Sequence, residues 1–412
     1  PLTSDIEPLA QNYSAWINSC STSKTLAQHG ADAYTATLRQ SIESQGQIAT
    51  LIMGSDAAWG PSSGPVVPNS LPSRSTVEEA TITKIGDLLS SGGKTVLLLE
   101  HHAIKSEALA AAGRIAGKTG CRLMTGTFPA RIDGGPGKVA VERLPYFPEH
   151  VLAALDGTEN LILVGGQIPA SFFAYQGLPG QLLPEGCTVH RLSRVEEDAI
   201  DALSRVADRL GAGSELIKYF EKVAVDKPTG ELTTRSIVQS LAATLPEDAI
   251  VATDSGGGNA AYGLCQNAAT NSWLSLTGGA IGQGGPCATG AALACPDRRV
   301  LALLGDGGAA YTNQHLWTQA RENLDVTTVI FANGSYNILN VEYAKLGISE
   351  MGDIATSLFN IGNPDINWVD MAKSFGVPGA VANTAEELCR LLEQSYETPG
   401  PFLIQAQGEF QR

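Results

Sequence analysis

Two apolar runs, each ending in an oxygen-bearing side chain, constrain this chain more than any other feature. Arg299–Leu304 leads into Gly305-Asp306-Gly307-Gly308, and a second run, Val326–Ala332, ends at Asn333. Between Gly307 and Asn333 lie 25 residues, Gly308 to Ala332. A helix of about 14 residues spans roughly 21 Å. A strand of about seven residues spans roughly 23 Å. The spacing therefore predicts a strand, a returning helix and a second, parallel strand. Asp306 and Asn333 then stand side by side at the carboxyl edge, where open α/β sheets bind ligands. A carboxylate beside an amide oxygen suits Mg²⁺ carrying phosphates. The bland alternative is a pair of turn residues capping a βα unit. Gly307 and Gly308 open the helix, so N–H groups and the helix dipole can meet a phosphate.

Charge sharpens this expectation. No Lys or Arg occurs from Ser236 to Asp297, nor from Val300 to Ala320. A P-loop would need its Lys here, and Gly-x-x-x-x-Gly-Lys is absent. A bound diphosphate must then be met by a divalent ion, backbone N–H groups and helix N-termini, which favours a metal-bridged diphosphate over ATP hydrolysis. Two further segments fit. Asp254-Ser255-Gly256-Gly257-Gly258-Asn259 follows a strand-like run and offers either an anion-binding nest of N–H groups or a flexible connection. Thr277–Pro286 carries five glycines around one Ile, Ile281. It allows either close approach of a flat ligand or close helix–sheet packing.

The formal net charge of −15 argues against nucleic acid or an anionic membrane as partner. No apolar run is long enough to span a bilayer, and no signal peptide stands at Pro1. Seven cysteines without a Cys-x-x-Cys pair read as buried, reduced thiols, and the expected location is cytoplasmic. Glycine, 45 of 412 residues or about 11% against roughly 7% on average, concentrates between Gly256 and Gly308.

Three blocks follow along the chain, all of α/β type with strands and helices alternating into parallel, three-layer sheets. Residues 1–60 hold a helix over Ala31–Ser44 and one strand, Gln47–Met53. They read as the end of a domain that begins upstream of Pro1. Residues 61–75 are a linker rich in Pro and Ser. Residues 76–205 form a central, Rossmann-like α/β domain with helices over Val77–Leu89, Lys105–Thr119 and Glu149–Leu155. Its strands are Thr95–Glu100, Arg122–Thr125, Asn160–Val164 and Thr188–Leu192. It lacks Gly-x-Gly-x-x-Gly, and Gly165-Gly166 reads as a tight turn in preference to a nucleotide contact. His101-His102 reads as a surface or core pair in preference to an acid–base pair. Residues 214–412 hold the segments above. Helices are expected over Thr233–Leu245, Gly284–Cys295, Ile366–Phe375 and Glu386–Glu393, and strands over Ala249–Thr253, Trp273–Leu276 and Pro401–Gln405.

In this order, the segments around Asp254, Ile281 and Asp306 resemble those of thiamine diphosphate-dependent enzymes. The acetolactate synthase large subunit group is the nearest likeness, with benzaldehyde lyase and benzoylformate decarboxylase beside it. The resemblance implies that Asp306, Asn333 and the carbonyl of Ser335 hold Mg²⁺ against the diphosphate. It implies that Tyr336 and Asn337 offer N–H groups to phosphate. It places Ser255, Gly256, Gly257, Gly307, Gly308 and Ile338 around the cofactor as well. Ile281 would wedge beneath the two cofactor rings, and the carbonyl of Gly279 would accept a hydrogen bond from the 4′-amino group. The family pattern has two adjacent asparagines; here the first is Ala332.

By the same resemblance, residues 214–412 are the diphosphate- and Mg²⁺-binding domain, 76–205 the central domain, and 1–60 the C-terminal part of the pyrimidine-binding domain. The family glutamate that activates the cofactor is not found in this chain. Only Glu7 and Glu43 precede Glu78, and neither has the expected strand-end setting. The implied activity is decarboxylation of a 2-oxo acid such as pyruvate, with ligation of the enamine to a second carbonyl. A 2-oxo acid decarboxylase, an aldehyde lyase or a non-catalytic Mg²⁺–diphosphate-binding protein are the alternatives. The implied partners are small 2-oxo acids or aldehydes and further copies of the chain, as a homodimer or homotetramer. Nothing in 76–205 argues specifically for FAD.

Overall fold

The computed structural model describes residues 4–38, 47–70, 73–348 and 350–408. Its strands are β1 (Trp16–Cys20), β2 (Ala49–Met53), β3 (Thr95–Leu99), β4 (Arg122–Thr125), β5 (Ile132–Gly134), β6 (Glu142–Arg143) and β7 (Asn160–Val164). They continue as β8 (Thr188–Ser193), β9 (Ala249–Thr253), β10 (Asn271–Leu274), β11 (Val300–Gly305), β12 (Val326–Ala332), β13 (Gly379–Ala382) and β14 (Phe402–Gln407). Three sheets result, ordered β1-β2, β6-β4-β3-β7-β8 and β13-β14-β12-β11-β9-β10-β5. All pairings are parallel except β10 with β5.

The long apolar runs explain the larger sheets. β3, β9 and β12 are buried along their whole length. Continuous burial, without alternation, means that both faces are covered. Helices supply that cover, and polar caps set where several of them start. Thr233 and Ser236 form a reciprocal capping box before the helix Thr234–Thr244. Asp198 caps Ala199–Arg209, and Thr384 caps Ala385–Glu397.

The first block differs from its sequence reading. It holds two strands, not one, paired parallel from Trp16↔Ala49 to Cys20↔Met53. Polar residues interrupt Trp-Ile-Asn-Ser-Cys, which masked β1. The helix between them runs Ser23–Thr37, from the Thr22 cap to the Leu38 C-cap; residues 39–44 of the expected helix, with Glu43, lie outside the described residues. Glu7 sits on the exposed short helix Ile6–Ala10.

The central block also departs from a simple division. β5, at residues 132–134, leaves its neighbours and pairs antiparallel with β10 of the seven-stranded sheet. Ser272 Oγ donates to Asp133 Oδ1 at 2.7 Å, and the Gly135 N–H donates to Gln266 Oε1 at 3.1 Å. Position 205 falls inside the helix Ala199–Arg209. Its Asp198 cap was the sequence signal that the block continues. Among the described residues no helix is long and apolar enough to cross a membrane. All seven cysteines are free, and Cys287 is exposed, contrary to a uniformly buried set.

Candidate active site

β11 and β12 lie side by side, with Gly305 opposite Phe331. Asp306 leaves one strand and Asn333 leaves the other at the same edge. Asp306 is only 4% exposed. Its Oδ2 accepts the Gly334 N–H at 2.6 Å, and its Oδ1 accepts the Gly307 N–H at 2.8 Å. Asn333 Oδ1 accepts the Ser335 N–H at 3.0 Å. Burial pushes the Asp306 carboxyl up, while these backbone N–H groups pull it down.

The single returning helix predicted from spacing is two short ones, Asp306–Ala309 and His315–Arg321. Side-chain bonds to backbone break it, as such bonds compete with helical ones. Thr312 Oγ1 donates to the Gly282 carbonyl at 2.5 Å, and His315 Nδ1 lies 2.7 Å from the Thr312 carbonyl.

The segment after β9 is a capped helix, not a flexible connection. Ser255 Oγ accepts the Gly258 N–H at 2.9 Å and also reaches the Leu303 carbonyl. The helix Gly256–Cys265 starts there, so the N–H groups of Gly256 and Gly257 open its first turn, where no intrahelical partner exists. Nothing lies within 4 Å of a Cβ built on Gly256. At Gly257 and Gly307 an added Cβ would meet the rings of Phe331 and Tyr336 at 2.6 and 2.5 Å. At Gly308 it would lie 3.2 Å from Asp254 Oδ1.

The glycine-rich segment carries Ile281 half exposed, and the Gly279 carbonyl accepts the Ile281 N–H at 2.9 Å. Gly278 and Gly279 take φ of 61° and 67°, the left-handed region that favours glycine. The expectation for Tyr336 needs correction. Its N–H donates to the Phe359 carbonyl at 2.9 Å, so it is already engaged. The N–H of Asn337 opens the helix Asn337–Lys345, which carries Ile338 in its first turn.

Every residue predicted for the site except Gly279 lines one cleft of about 1120 Å³. The other wall comes from the central block, including Arg143, Phe128, Tyr146 and Phe147. Arg143 was missed by the sequence reading. It reaches across so that Nη2 donates to the Asn259 carbonyl at 2.7 Å and its guanidinium lies 4.3 Å from the Tyr262 ring centre. No local pattern marks it, because β6 is two residues long and more than a hundred residues away in sequence. The histidine pair stays outside this cleft. Burial and Arg74 hold His102 down to about 4, and its Nε2 accepts the Ala199 N–H at 2.9 Å. It is a structural acceptor in the core.

The donor set fits a hard divalent cation. The Asp306 carboxylate is held by backbone N–H groups of its own edge, and each carboxylate oxygen keeps a further lone pair. A buried carboxylate without a cation is costly, and a metal there would supply the missing charge. Among the described residues no cluster of three His, Cys, Asp or Glu offers a rival metal site.

Comparison with known proteins adds to this geometry. The family model described as thiamine pyrophosphate enzyme, C-terminal TPP binding domain, matches residues 256–406. Over 406 residues the chain is 41% identical to the "Putative acetolactate synthase large subunit IlvX" of Mycobacterium tuberculosis, covering 98% of this chain and 77% of that protein. The chain belongs to the thiamine pyrophosphate enzyme family. This thiamine pyrophosphate enzyme is also 27% identical to a benzoylformate decarboxylase of Pseudomonas aeruginosa over 278 residues, covering 64% of the chain and 51% of that protein. In fold it matches the thiamine diphosphate-dependent 4-hydroxybenzoylformate decarboxylase of Rhodococcus jostii RHA1 with a TM-score of 0.79. That match covers 99% of this chain and 78% of the other at 21% identity.

Proposed function

We propose that the protein is a thiamine diphosphate- and Mg²⁺-dependent enzyme that decarboxylates a 2-oxo acid such as pyruvate and ligates the product to a second carbonyl. The observation that carries this reading is the adjacency of β11 and β12, which end at Asp306 and Asn333 on one cleft. In this proposal Asp306, Asn333 and the Ser335 carbonyl hold Mg²⁺. Gly256, Gly257, Gly308 and Asn337 present backbone N–H groups to the diphosphate, with Ser255 capping the helix that carries the first two and Gly307, its N–H held by Asp306 Oδ1, lining the cleft beside them. When bound, thiamine diphosphate supplies nucleophilic carbon chemistry toward a carbonyl. The chain's own part is to orient and to exclude water. Ile281 would pack against the bound cofactor, and the Gly279 carbonyl would accept a hydrogen bond from it. Fixed N–H groups in a desolvated cleft need no reorganisation when charge develops.

The domain roles follow the same reading. Residues 214–412 bind the diphosphate and Mg²⁺, 76–205 form the central unit, and 1–60 belong to the unit that receives the pyrimidine ring. Assembly as a homodimer or homotetramer completes the proposal, and light scattering during size-exclusion chromatography reads it directly.

A second reading, a 2-oxo acid decarboxylase or aldehyde lyase without ligation, is supported by the similarity to benzoylformate decarboxylase. One experiment separates the two. The protein is incubated with Mg²⁺, thiamine diphosphate and a panel of 2-oxo acids, and products are identified by mass spectrometry. A new carbon–carbon bond from pyruvate supports ligation. Carbon dioxide and free aldehyde alone favour the second reading. Neither product from any acid sinks the enzymatic reading.

A further inference from the structure

The glycine-rich segment is gripped at one residue from two sides. The Gly282 N–H donates to Asp254 Oδ2 at 3.0 Å, and the Gly282 carbonyl accepts from Thr312 Oγ1 at 2.5 Å. The same Asp254 oxygen accepts the Gly284 N–H at 3.1 Å. Thr312 is itself steadied by buried His315, whose ring packs against Gly285. An added Cβ on Gly282 would meet Tyr311 Cβ at 2.8 Å, so this end of the segment is also packed.

The other end has open space around it and, among the described residues, bonds only within the segment, where Thr277 Oγ1 donates to Gln283 Oε1 at 3.1 Å. Nothing lies within 4 Å of a Cβ built on Gly278 or Gly279. Ile281 sits at the border between the open and the gripped halves. Asp254 occupies the end of β9, and its Oδ1 is buried with no hydrogen-bond partner. Such an atom costs stability and calls for a reason.

We infer that Asp254 and Thr312 are positioning residues that lock Gly282, and through it hold the Ile281 side chain in the cleft and fix the Gly279 carbonyl next to it. The grip itself stands on geometry alone; what Gly279 and Ile281 are aimed at rests on the proposed function. A role limited to starting the helix Gly284–Ala294 would use the Gly284 bond only. It would leave Thr312 and the Gly282 N–H without consequence.

Amide exchange of residues 277–285, read by mass spectrometry on cofactor-free protein, tests the grip. Asp254→Ala and Thr312→Val each raise exchange there by roughly tenfold or more. Asp254→Asn and Thr312→Ser, which keep an acceptor and a donor, return it to within about threefold of wild type. Thiamine diphosphate with Mg²⁺, titrated by tryptophan fluorescence, binds roughly tenfold more weakly to the Ala and Val variants and near normally to the Asn and Ser variants. Thr312→Val is nearly isosteric and keeps the test available should Asp254→Ala fail to fold. Unchanged exchange in the foldable loss variants overturns the grip. Raised exchange with wild-type cofactor affinity overturns the positioning role. A wild-type chain that binds no thiamine diphosphate defeats the proposed function instead, and the exchange comparison then decides the grip by itself.

Discussion

At the carboxyl edge of the seven-stranded sheet, Gly256, Gly278 and Gly279 look into open space. At the carboxyl edge of the five-stranded sheet the glycines are already filled from within. Glu100 follows β3, and a Cβ on Gly126 or Gly166 would lie 2.5 Å from one of its carboxylate oxygens. Gly165 takes φ of 72° beside the Glu100 carbonyl. Burial pushes the Glu100 carboxyl up to about 7, with a backbone bond from Gln167 pulling the other way. Both edges therefore spend glycine on close approach. One also leaves open space at Gly256, Gly278 and Gly279, whereas the other is filled by the chain's own acid. A glycine run at a strand end marks crowding or vacancy, and the neighbouring side chains decide which.

Four measurements break or sharpen this contrast. The largest effect belongs to the open edge. Asp306→Ala should weaken thiamine diphosphate binding in the presence of Mg²⁺ by roughly 100-fold or more. Isothermal titration reads it, and wild-type affinity in the variant would remove the metal from this edge.

Next comes the acid of the closed edge. In the unfolded chain Glu100 releases its proton near its ordinary value of 4.5, whereas in the folded chain it holds it to about 7. Its contribution to stability is thus fully present below about pH 4.5 and is lost as pH climbs through 7. The loss is up to about 3 kcal/mol. Glu100→Gln should gain stability over wild type at pH 8 relative to pH 5, as measured by urea unfolding. Equal pH dependence in the two proteins would show that the carboxyl is not buried as described.

Gly166→Ala should destabilise by about 1–2 kcal/mol, because its Cβ overlaps the Glu100 carboxylate. The Glu100→Ala background should remove most of that loss, and a double-mutant cycle with no coupling would separate the two residues. The smallest change in stability is expected at Gly256. Gly256→Ala should leave stability unchanged or improved by about 0.5 kcal/mol, since the site opens a helix and has space. The same methyl should impair cofactor binding, so unaltered affinity would argue that this helix start does not face the ligand.

Much of the two larger sheets was legible. Asn160–Val164, Ala249–Thr253 and Val326–Ala332 stand where continuous apolar runs placed them. Buried parallel strands must be apolar on both faces, so the signal is strong and local. β1 and β13 were missed because short strands with polar or small residues carry no such signal. The broken helix after Asp306 was missed because Thr312 bonds to the Gly282 carbonyl, a backbone group that only folding brings near.

The sequence by itself determined which residues end the strands, and hence that Asp306 and Asn333 share an edge. Chain connectivity and burial leave few other arrangements. Only the tertiary structure decided that Arg143 closes the cleft from the far side, that Tyr336 gives its N–H to Phe359, and that Asp254 and Thr312 meet at Gly282. Each of those contacts joins segments remote in sequence. Hydrogen bonds of that kind have no periodicity to announce them, because their geometry exists only once the sheets and helices have packed.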